Sequence, residues 1–156
     1  MKTSLNIRPY TEDDRNACLA IFESNTPEYF APGDRVEFAS FLDDPAGAYF
    51  VCALRDGRVV GCGGYYLVTA QRLAGLTWGM VHREVQRQGI GGQLLQFRLS
   101  DIRRMAAVEK VRVRTTHLSE AFFRQFGFIA QARNCRASSS ESFERSIASG
   151  GSVVKF

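Results

Sequence analysis

The feature that most constrains this chain is a glycine-rich loop between a predicted strand and a predicted helix. Residues 86–92 read Gln-Arg-Gln-Gly-Ile-Gly-Gly, after an apolar segment from Leu76 to His82 and before a helical pattern from Gly91 to about Met105. A helix N-terminus exposes about four unpaired backbone N–H groups and carries roughly half a positive charge. Glycines let the preceding backbone curve around an anion without interference from a Cβ. The loop is therefore predicted to bind phosphate oxygens through main-chain amides.

Other glycine-loop motifs fit the same residues less well. A P-loop needs a lysine followed by Ser or Thr after its last glycine, but Gln93 and Leu94 follow Gly92. A dinucleotide fingerprint needs G-x-G-x-x-G early in a βαβ unit, whereas here the third glycine comes too soon and the motif lies past the middle of the chain. The alternative to a phosphate-binding loop is a tight strand-to-helix turn that binds no ligand.

Composition indicates an ordinary globular chain. The 156 residues are 45% hydrophobic and 23% charged, which is typical of one soluble domain with one core. No apolar run approaches the roughly 20 residues that span a bilayer. The N-terminus lacks a basic region followed by an apolar stretch, as a secretory signal would have. We therefore expect a single domain over residues 1–156, located in the cytoplasm and not bound to a membrane.

The cysteines and histidines do not indicate a metal site. The four cysteines lack C-x-x-C spacing, and His82 and His117 stand apart from them and from each other. Cys52 and Cys62 lie in apolar strand-like runs, where a free thiol behaves as a small hydrophobe. We expect neither a metal ion nor a disulfide.

Charge is distributed unevenly along the chain. Residues 1–60 carry ten acids and six bases, a net charge of −4, and residues 61–156 carry fourteen bases and six acids, a net charge of +8. A basic C-terminal part suits a polyanion, either a nucleic acid or a phosphate-rich small molecule. The arginines that motivate a nucleic-acid interpretation lack the interleaved exposed aromatic residues of a base-stacking surface, so we expect no nucleic acid. These arginines are Arg98, Arg103, Arg104, Arg112 and Arg114.

Hydrophobic periodicity predicts the element order β-α-α-β-β-β-α-β-α-β, and hence a mixed sheet with helices packed against it. The predicted elements are a strand at Leu5–Arg8, helices beginning at Thr11 and Asp34, strands at 49–54, 59–68 and 76–82, the helix from Gly91, a strand at 111–115, a helix at 119–125 and a strand at 128–132. The serine-rich tail is the least patterned part. There we predict a short helix at Ser142–Ala148 and a last strand at 152–156.

Two segments resemble the motifs of a known family. Val81 to Leu95 resembles a strand ending in Val followed by the signature [QR]-x-x-G-x-[GA], with Gln86 five residues after Val81. Phe122 to Phe128 resembles a helix-and-turn motif F-Y-x-x-x-G-F. Over residues 5–130 the chain therefore resembles the GNAT superfamily of acyl-CoA-dependent N-acetyltransferases. The resemblance implies an α/β fold with a mixed, mostly antiparallel central sheet of six to seven strands, flanked by about four helices.

The resemblance also implies a reaction and a binding site. The cosubstrate would be acetyl-CoA, and an acetyl group would pass to a primary amine of a small molecule or peptide by direct attack in a ternary complex. The pantetheine arm would lie between the fourth and fifth strands, where a backbone N–H near Val81 would polarise the thioester carbonyl. The implied cosubstrate-binding residues are Gly79, Met80 and Val81 for pantetheine, Gln86, Arg87, Gln88, Gly89, Ile90, Gly91 and Gly92 for pyrophosphate, and Ser119, Phe122 and Phe123 on the helix at 119–125.

Catalytic residues are not defined by the resemblance. Many relatives have a tyrosine that protonates the departing thiolate where this chain has Phe123, and an asparagine where it has Thr116. The remaining candidates are Tyr65, Tyr66 and Ser119. A non-catalytic acyl-CoA-binding or sensor module is therefore the alternative function. The resemblance leaves open whether the chain forms a homodimer. Residues 25–30, in the acidic first third of the chain, would border a site for an amine acceptor.

Overall fold

The computed structural model describes residues 4–115, 117–130 and 141–146, which form eleven helices and strands joined by short 3-10 turns. In chain order these are β1 Asn6–Pro9, α1 Arg15–Ser24, α2 Asp34–Asp43, β2 Ala48–Ala53, β3 Val59–Val68, β4 Leu73–Val81, α3 Ile90–Arg103, β5 Lys110–Thr115, α4 Glu120–Gln125, β6 Ile129–Ala130 and β7 Glu141–Ser146. Within these ranges, no helix is long and apolar enough to cross a membrane.

The strands form one seven-stranded sheet in the order β1-β2-β3-β4-β5-β7-β6. Every neighbouring pair is antiparallel except β4 and β5, which are parallel. Parallel strands need a crossover connection, and α3 supplies it between β4 and β5. The expected mixed, mostly antiparallel sheet of six to seven strands with about four helices is confirmed.

Helices cover both faces of the sheet. Tyr49, Val51 and Cys62 are buried against α1 and α2. Tyr65 and Leu76 are buried against α3 and α4 on the other face. Side chains alternate between the faces of a strand, so the nearly continuous apolar runs of β2 and β3 follow from burial on both sides.

The tail departs from the predicted pattern. The helix predicted at Ser142–Ala148 is wrong, because residues 141–146 form β7 and pair with β5, with Phe143 opposite Val113. Phe143 is completely buried in the core, and packing of this single ring outweighs a serine- and glutamate-rich composition that does not favour strand. Residues 131–132 of the predicted strand at 128–132, and the whole predicted strand at 152–156, lie outside the described residues.

A buried carboxylate joins β1 to the start of α1. Asp14 is 5% exposed and accepts two hydrogen bonds of 2.8 Å from the Arg8 guanidinium and one of 2.9 Å from the Thr11 amide. The bonds from Arg8 are the main reason that the pKa of Asp14 lies below its ordinary value. The expected helix start at Thr11 is therefore held by a capping carboxylate at Asp14.

We predict that Asp14→Asn lowers the free energy of unfolding at pH 7 by ~1–3 kcal/mol, because charge-assisted bonds to a buried group are lost. The pKa of Asp14 is lowered on folding, so its contribution is complete above the ordinary value of 3.8 and disappears as the pH falls through the folded value. Urea unfolding should show the difference between wild type and variant shrinking between pH 4 and pH 2. The exposed neighbour Asp13, changed to Asn, should have little effect; an equal loss there would contradict the assignment.

Candidate functional site

The parallel pair β4 and β5 separates along its length. The ladder joins Leu73–Gly75 to Lys110–Arg112 and ends there. Beyond Gly75, β4 continues to Val81 while paired with β3 on its other side, and the later residues of β5 pair with β7. Within the described ranges, a cleft therefore begins after Gly75, with the second half of β4 as one wall. Gly79 is exposed on this wall.

A bulge turns the backbone of β4 at the cleft. The register with β3 shifts between Cys62 and Gly64, and Trp78 adopts a φ of 42°, in the left-handed region that non-glycine residues rarely occupy. Past the bulge, the His82 amide donates to the Val60 carbonyl at 2.7 Å. Antiparallel ladder bonds alternate from pair to pair, so the amide and carbonyl of Val81 point away from β3, on the cleft side.

The loop after β4 presents unpaired amides. Arg87 and Gly89 have φ values of 64° and 83°, and the Gln93 amide closes the first helical turn on the Gly89 carbonyl at 3.0 Å. The backbone N–H groups of residues 87–92 donate to no group of the described residues. Successive amides around left-handed residues form a concave anion site, and the start of α3 adds its dipole. The chemistry and shape of the loop therefore fit a diphosphate.

Helix α4 packs against the start of α3. A Cβ at Gly91 would lie 3.6 Å from Cζ of Phe122 and 3.7 Å from Cγ2 of Val81, which are ordinary contacts, and a Cβ at Gly92 would lie 3.3 Å from Cζ of Phe126. An alanine side chain would therefore fit at Gly91. The loop, the end of β4 and the aromatic face of α4 therefore meet at one place.

Gln86, the first residue of the glycine signature, is a structural anchor. Its Nε2 donates to the Val81 carbonyl at 3.0 Å and to Oδ1 of Asn25 at 2.6 Å. Asn25 is 2% exposed, and its Nδ2 donates to the same Val81 carbonyl at 2.9 Å and to the Ile21 carbonyl at 3.0 Å. These bonds fix the orientation of Val81. They also tie the end of α1 to the glycine loop.

The candidate catalytic tyrosines lie on opposite faces of β3. Tyr65 is 3% exposed and donates to Oδ2 of Asp101 on α3 at 2.6 Å, and burial, followed by this bond, raises its pKa to about 12. The hydroxyl is therefore held by the half-buried Asp101 on α3. Tyr66 lies across Gly75, where its ring fills the space that a side chain would need.

The remaining candidate residues divide by their exposure. Ser119 is half-buried at the N-cap of α4, where its side chain makes no capping bond. Phe123 is nearly buried and packs edge-on against Phe128 at 5.5 Å. The side chains of Ile90 and Met80 are buried in the core, so these residues offer only backbone groups. The exposed side chains are those of Arg87 and Gln88.

The family follows from comparison with known proteins. Residues 17–128 match the model of the acetyltransferase (GNAT) family. This chain belongs to the GNAT family. It is therefore an acyltransferase by family, as the glycine signature and the helix-and-turn motif had indicated.

Solved structures have the same fold at low sequence identity. A GNAT-family structure from Desulfovibrio desulfuricans is 18% identical with a TM-score of 0.80, covering 93% of this chain and 100% of that one. The ribosomal-protein-S18-alanine N-acetyltransferase of Escherichia coli is 18% identical with a TM-score of 0.75, covering 98% and 100%. A phosphinothricin acetyltransferase from Sinorhizobium meliloti, solved with AcCoA, is 18% identical with a TM-score of 0.71, covering 96% and 91%. No curated protein sequence matches the chain.

Sequence reasoning missed the role of Asn25. It placed Asn25 only within residues 25–30, the segment expected to border the acceptor site. The side chain of Asn25 instead bridges two loops that are 61 residues apart in sequence. An isolated asparagine near a helix end carries no signal of such a long-range partner, because helix C-termini commonly contain this residue.

We predict that Asn25→Ala lowers the free energy of unfolding by ~1–3 kcal/mol, because Gln86 and the Val81 carbonyl each lose a buried partner. This should lower the Tm by about 2–4 °C per kcal/mol, measured by differential scanning calorimetry. Asn16→Ala, at an exposed position in α1, is the matched control. Equal Tm values for the two variants would show that the bridge does not stabilise the fold.

Tyr65→Phe separates a structural role from a catalytic one. Removal of the bond to Asp101 should reduce the free energy of unfolding by ~0.5–1.5 kcal/mol and leave kcat within about twofold of wild type, because the hydroxyl faces α3. Urea unfolding and steady-state transfer rates measure the two effects. A fall of tenfold or more in kcat with normal stability would make Tyr65 catalytic.

Proposed function

We propose that this protein is an acetyl-CoA-dependent N-acetyltransferase that transfers an acetyl group to a primary amine of a small molecule or peptide. The observation that carries this proposal is the set of unpaired amides at residues 87–92, placed where the cleft between β4 and β5 opens. Family membership supports the acetyltransferase chemistry. The basic balance of residues 61–156 also suits a phosphate-rich cosubstrate.

The chain offers two groups of contacts for acetyl-CoA. The amides of residues 87–92 would hold the pyrophosphate, and the exposed Arg87 side chain would add positive charge. Charge-assisted hydrogen bonds contribute about 1.5–3 kcal/mol each, so three or four give on the order of 5–10 kcal/mol before association costs. Micromolar binding requires about 8 kcal/mol. Gly79, Met80 and Val81 would bind the pantetheine arm through their backbone groups.

The transfer step makes modest demands on the protein. When bound, acetyl-CoA supplies a thioester whose carbonyl carbon accepts the attacking amine. The Val81 amide points to the cleft side and would stabilise the carbonyl oxygen as it gains charge. Gln86 and Asn25 hold the Val81 carbonyl, so this amide is oriented before any ligand arrives, and the walls of the cleft position the two substrates.

The loop between α1 and α2 would form the acceptor side. The Phe30 ring lies 6.1 Å from that of Trp78, which immediately precedes Gly79, so the loop reaches the bulge of β4. Glu28 in this loop forms an exposed ion pair with Arg83, which follows β4, at 2.9 Å. Because the loop contacts both Trp78 and Arg83, we propose that the amine acceptor lies between this loop and β4.

A second candidate function is acyl-CoA binding without turnover. It is favoured by Phe123, which cannot donate a proton where many relatives have tyrosine. A thiol with a pKa of about 8.5 is a fair leaving group without an acid, so we place the transferase first. Turnover of acetyl-CoA that accelerates with some member of an amine panel would support the transferase; tight binding of CoA with no turnover across the panel would support the second candidate.

A thermal-shift titration with acetyl-CoA and CoA tests the binding site before any acceptor is known. Both ligands should raise the Tm in proportion to the logarithm of ligand concentration above Kd. Gly91→Glu should abolish the shift, because it places bulk and negative charge beside the amides.

Gly91→Ala is the matched control for that variant. Its Cβ meets only ordinary contacts with Phe122 and Val81, so the variant should fold and keep most of the shift. No shift of wild type with either ligand would refute the proposed function. Equal shifts for wild type and Gly91→Glu would place the ligand elsewhere.

A further inference from the structure

Arg98 is a buried cation on the sheet-facing side of α3. Sequence analysis named it among the arginines considered for nucleic-acid binding, but only 4% of the residue is exposed. Two glycines, Gly63 on β3 and Gly79 on β4, have no side chain and therefore leave space for the guanidinium. A Cβ at Gly63 would lie 3.2 Å from Cζ of Arg98, and a Cβ at Gly79 would lie 3.1 Å from Nη2. The guanidinium thus lies directly beneath Gly79, the exposed glycine of the cleft wall.

The guanidinium is poorly satisfied for a buried charge. Nη1 donates to the Gly64 carbonyl at a long 3.3 Å, and the buried Nε has no hydrogen-bond partner in the part of the chain that the structure describes. No carboxylate of the described residues forms an ion pair with Arg98. Buried cations are normally paired, because desolvation of an uncompensated charge is costly. An anionic partner from outside the chain would account for this arrangement.

The titratable groups around Arg98 do not compensate its charge. They are Tyr49 and Cys52 on β2 and Cys62 on β3, and burial raises the pKa of each, to about 12 for Cys52 and well above the ordinary value for the other two. All three are therefore neutral at pH 7. Burial lowers the pKa of Arg98 to about 10, so the guanidinium still carries its charge at that pH.

The position of Arg98 relative to the glycine loop indicates which anion from outside the chain would lie near the guanidinium. Seven residues separate Arg98 from Gly91, which is about two helical turns or roughly 10.5 Å along α3, on nearly the same face. Gly91 neighbours Val81, and Arg98 neighbours Gly79. α3 therefore runs back along β4 from the loop towards the bulge. An extended arm anchored at residues 87–92 and lying along β4 follows the same direction, so a thioester whose carbonyl meets the Val81 amide would lie over the segment Gly79–Val81, close to the guanidinium.

We propose that the guanidinium of Arg98 stabilises the coenzyme A thiolate as it leaves, acting across the backbone of Gly79. This inference rests on the proposed function. During transfer, the amine lone pair forms the N–C bond, the C–S bond breaks with its electron pair going to sulfur, and the proton of the amine nitrogen passes to water. A nearby cation favours the negative sulfur. Arg98 thereby fulfils a need that Phe123 cannot meet, and it does so by charge rather than by proton donation.

The test measures the thiol pKa of bound coenzyme A. The ultraviolet absorbance of the thiolate is followed as a function of pH for protein saturated with coenzyme A. The same protein saturated with desulfo-coenzyme A serves as the reference, because it corrects for the absorbance of the protein's own cysteines. Relative to free coenzyme A, with a thiol pKa of about 8.5, wild type should lower the value by about one unit or more. Arg98→Met should return it to the free value, and Arg98→Lys should retain part of the effect. Arg104→Met removes an exposed charge from the C-cap of the same helix and should match wild type.

Steady-state rates provide a second readout. Arg98→Met should lower kcat about tenfold or more and change KM for acetyl-CoA less than threefold, because ground-state binding depends on the glycine loop. If the thiol pKa of coenzyme A bound to wild type equals that of free coenzyme A, the inference is overturned whether or not the variants fold. It is also overturned if Arg98→Met lowers this pKa as much as wild type does. Absence of any coenzyme A thermal shift in wild type refutes the proposed function itself, which distinguishes the two failures.

Discussion

The short parallel ladder between β4 and β5 is the constraint on which the candidate site depends. Three residues of each strand pair, and the pairing then ends at Gly75. The freed half of β4 can therefore present backbone groups to a ligand, as edge strands do. The bulge at Trp78 and the bonds to the Val81 carbonyl then set which of those groups face the cleft.

Local sequence signals predicted the parts of the site that depend on local geometry. The glycine loop, the helix after it and the strand pair at 49–68 each have a pattern that one segment determines, through backbone freedom, amphipathic spacing and a turn. The mixed sheet followed from their order. The helix predicted at 142–148 was wrong because the conformation of residues 141–146 depends on β5, to which they pair, and on the burial of Phe143. Pairing partners distant in sequence leave no local pattern.

Polar groups in the interior were the hardest to predict. Asn25 and Arg98 have neutral or unfavourable propensities for burial. Sequence reasoning placed Asn25 in a loop and named Arg98 only among the arginines that motivate a nucleic-acid interpretation. The structure places Asn25 between two loops and Arg98 beneath glycines of neighbouring strands. The glycines of β3 were the available signal: Gly61, Gly63 and Gly64 within one strand are unfavourable for a sheet interior unless another group approaches the backbone closely.

The bridge from Asn25 to Gln86 has a consequence for the divergence of such enzymes. It secures the start of the α1–α2 loop to the glycine loop, while residues 26–33 lie beyond that attachment and contact Trp78 through Phe30 and Arg83 through Glu28. On the proposed function, substitutions at the other residues of this outer part are expected to alter acceptor preference without displacing the glycine loop. In protein engineering, this segment is the part of the chain to randomise, with Asn25 kept as its fixed boundary.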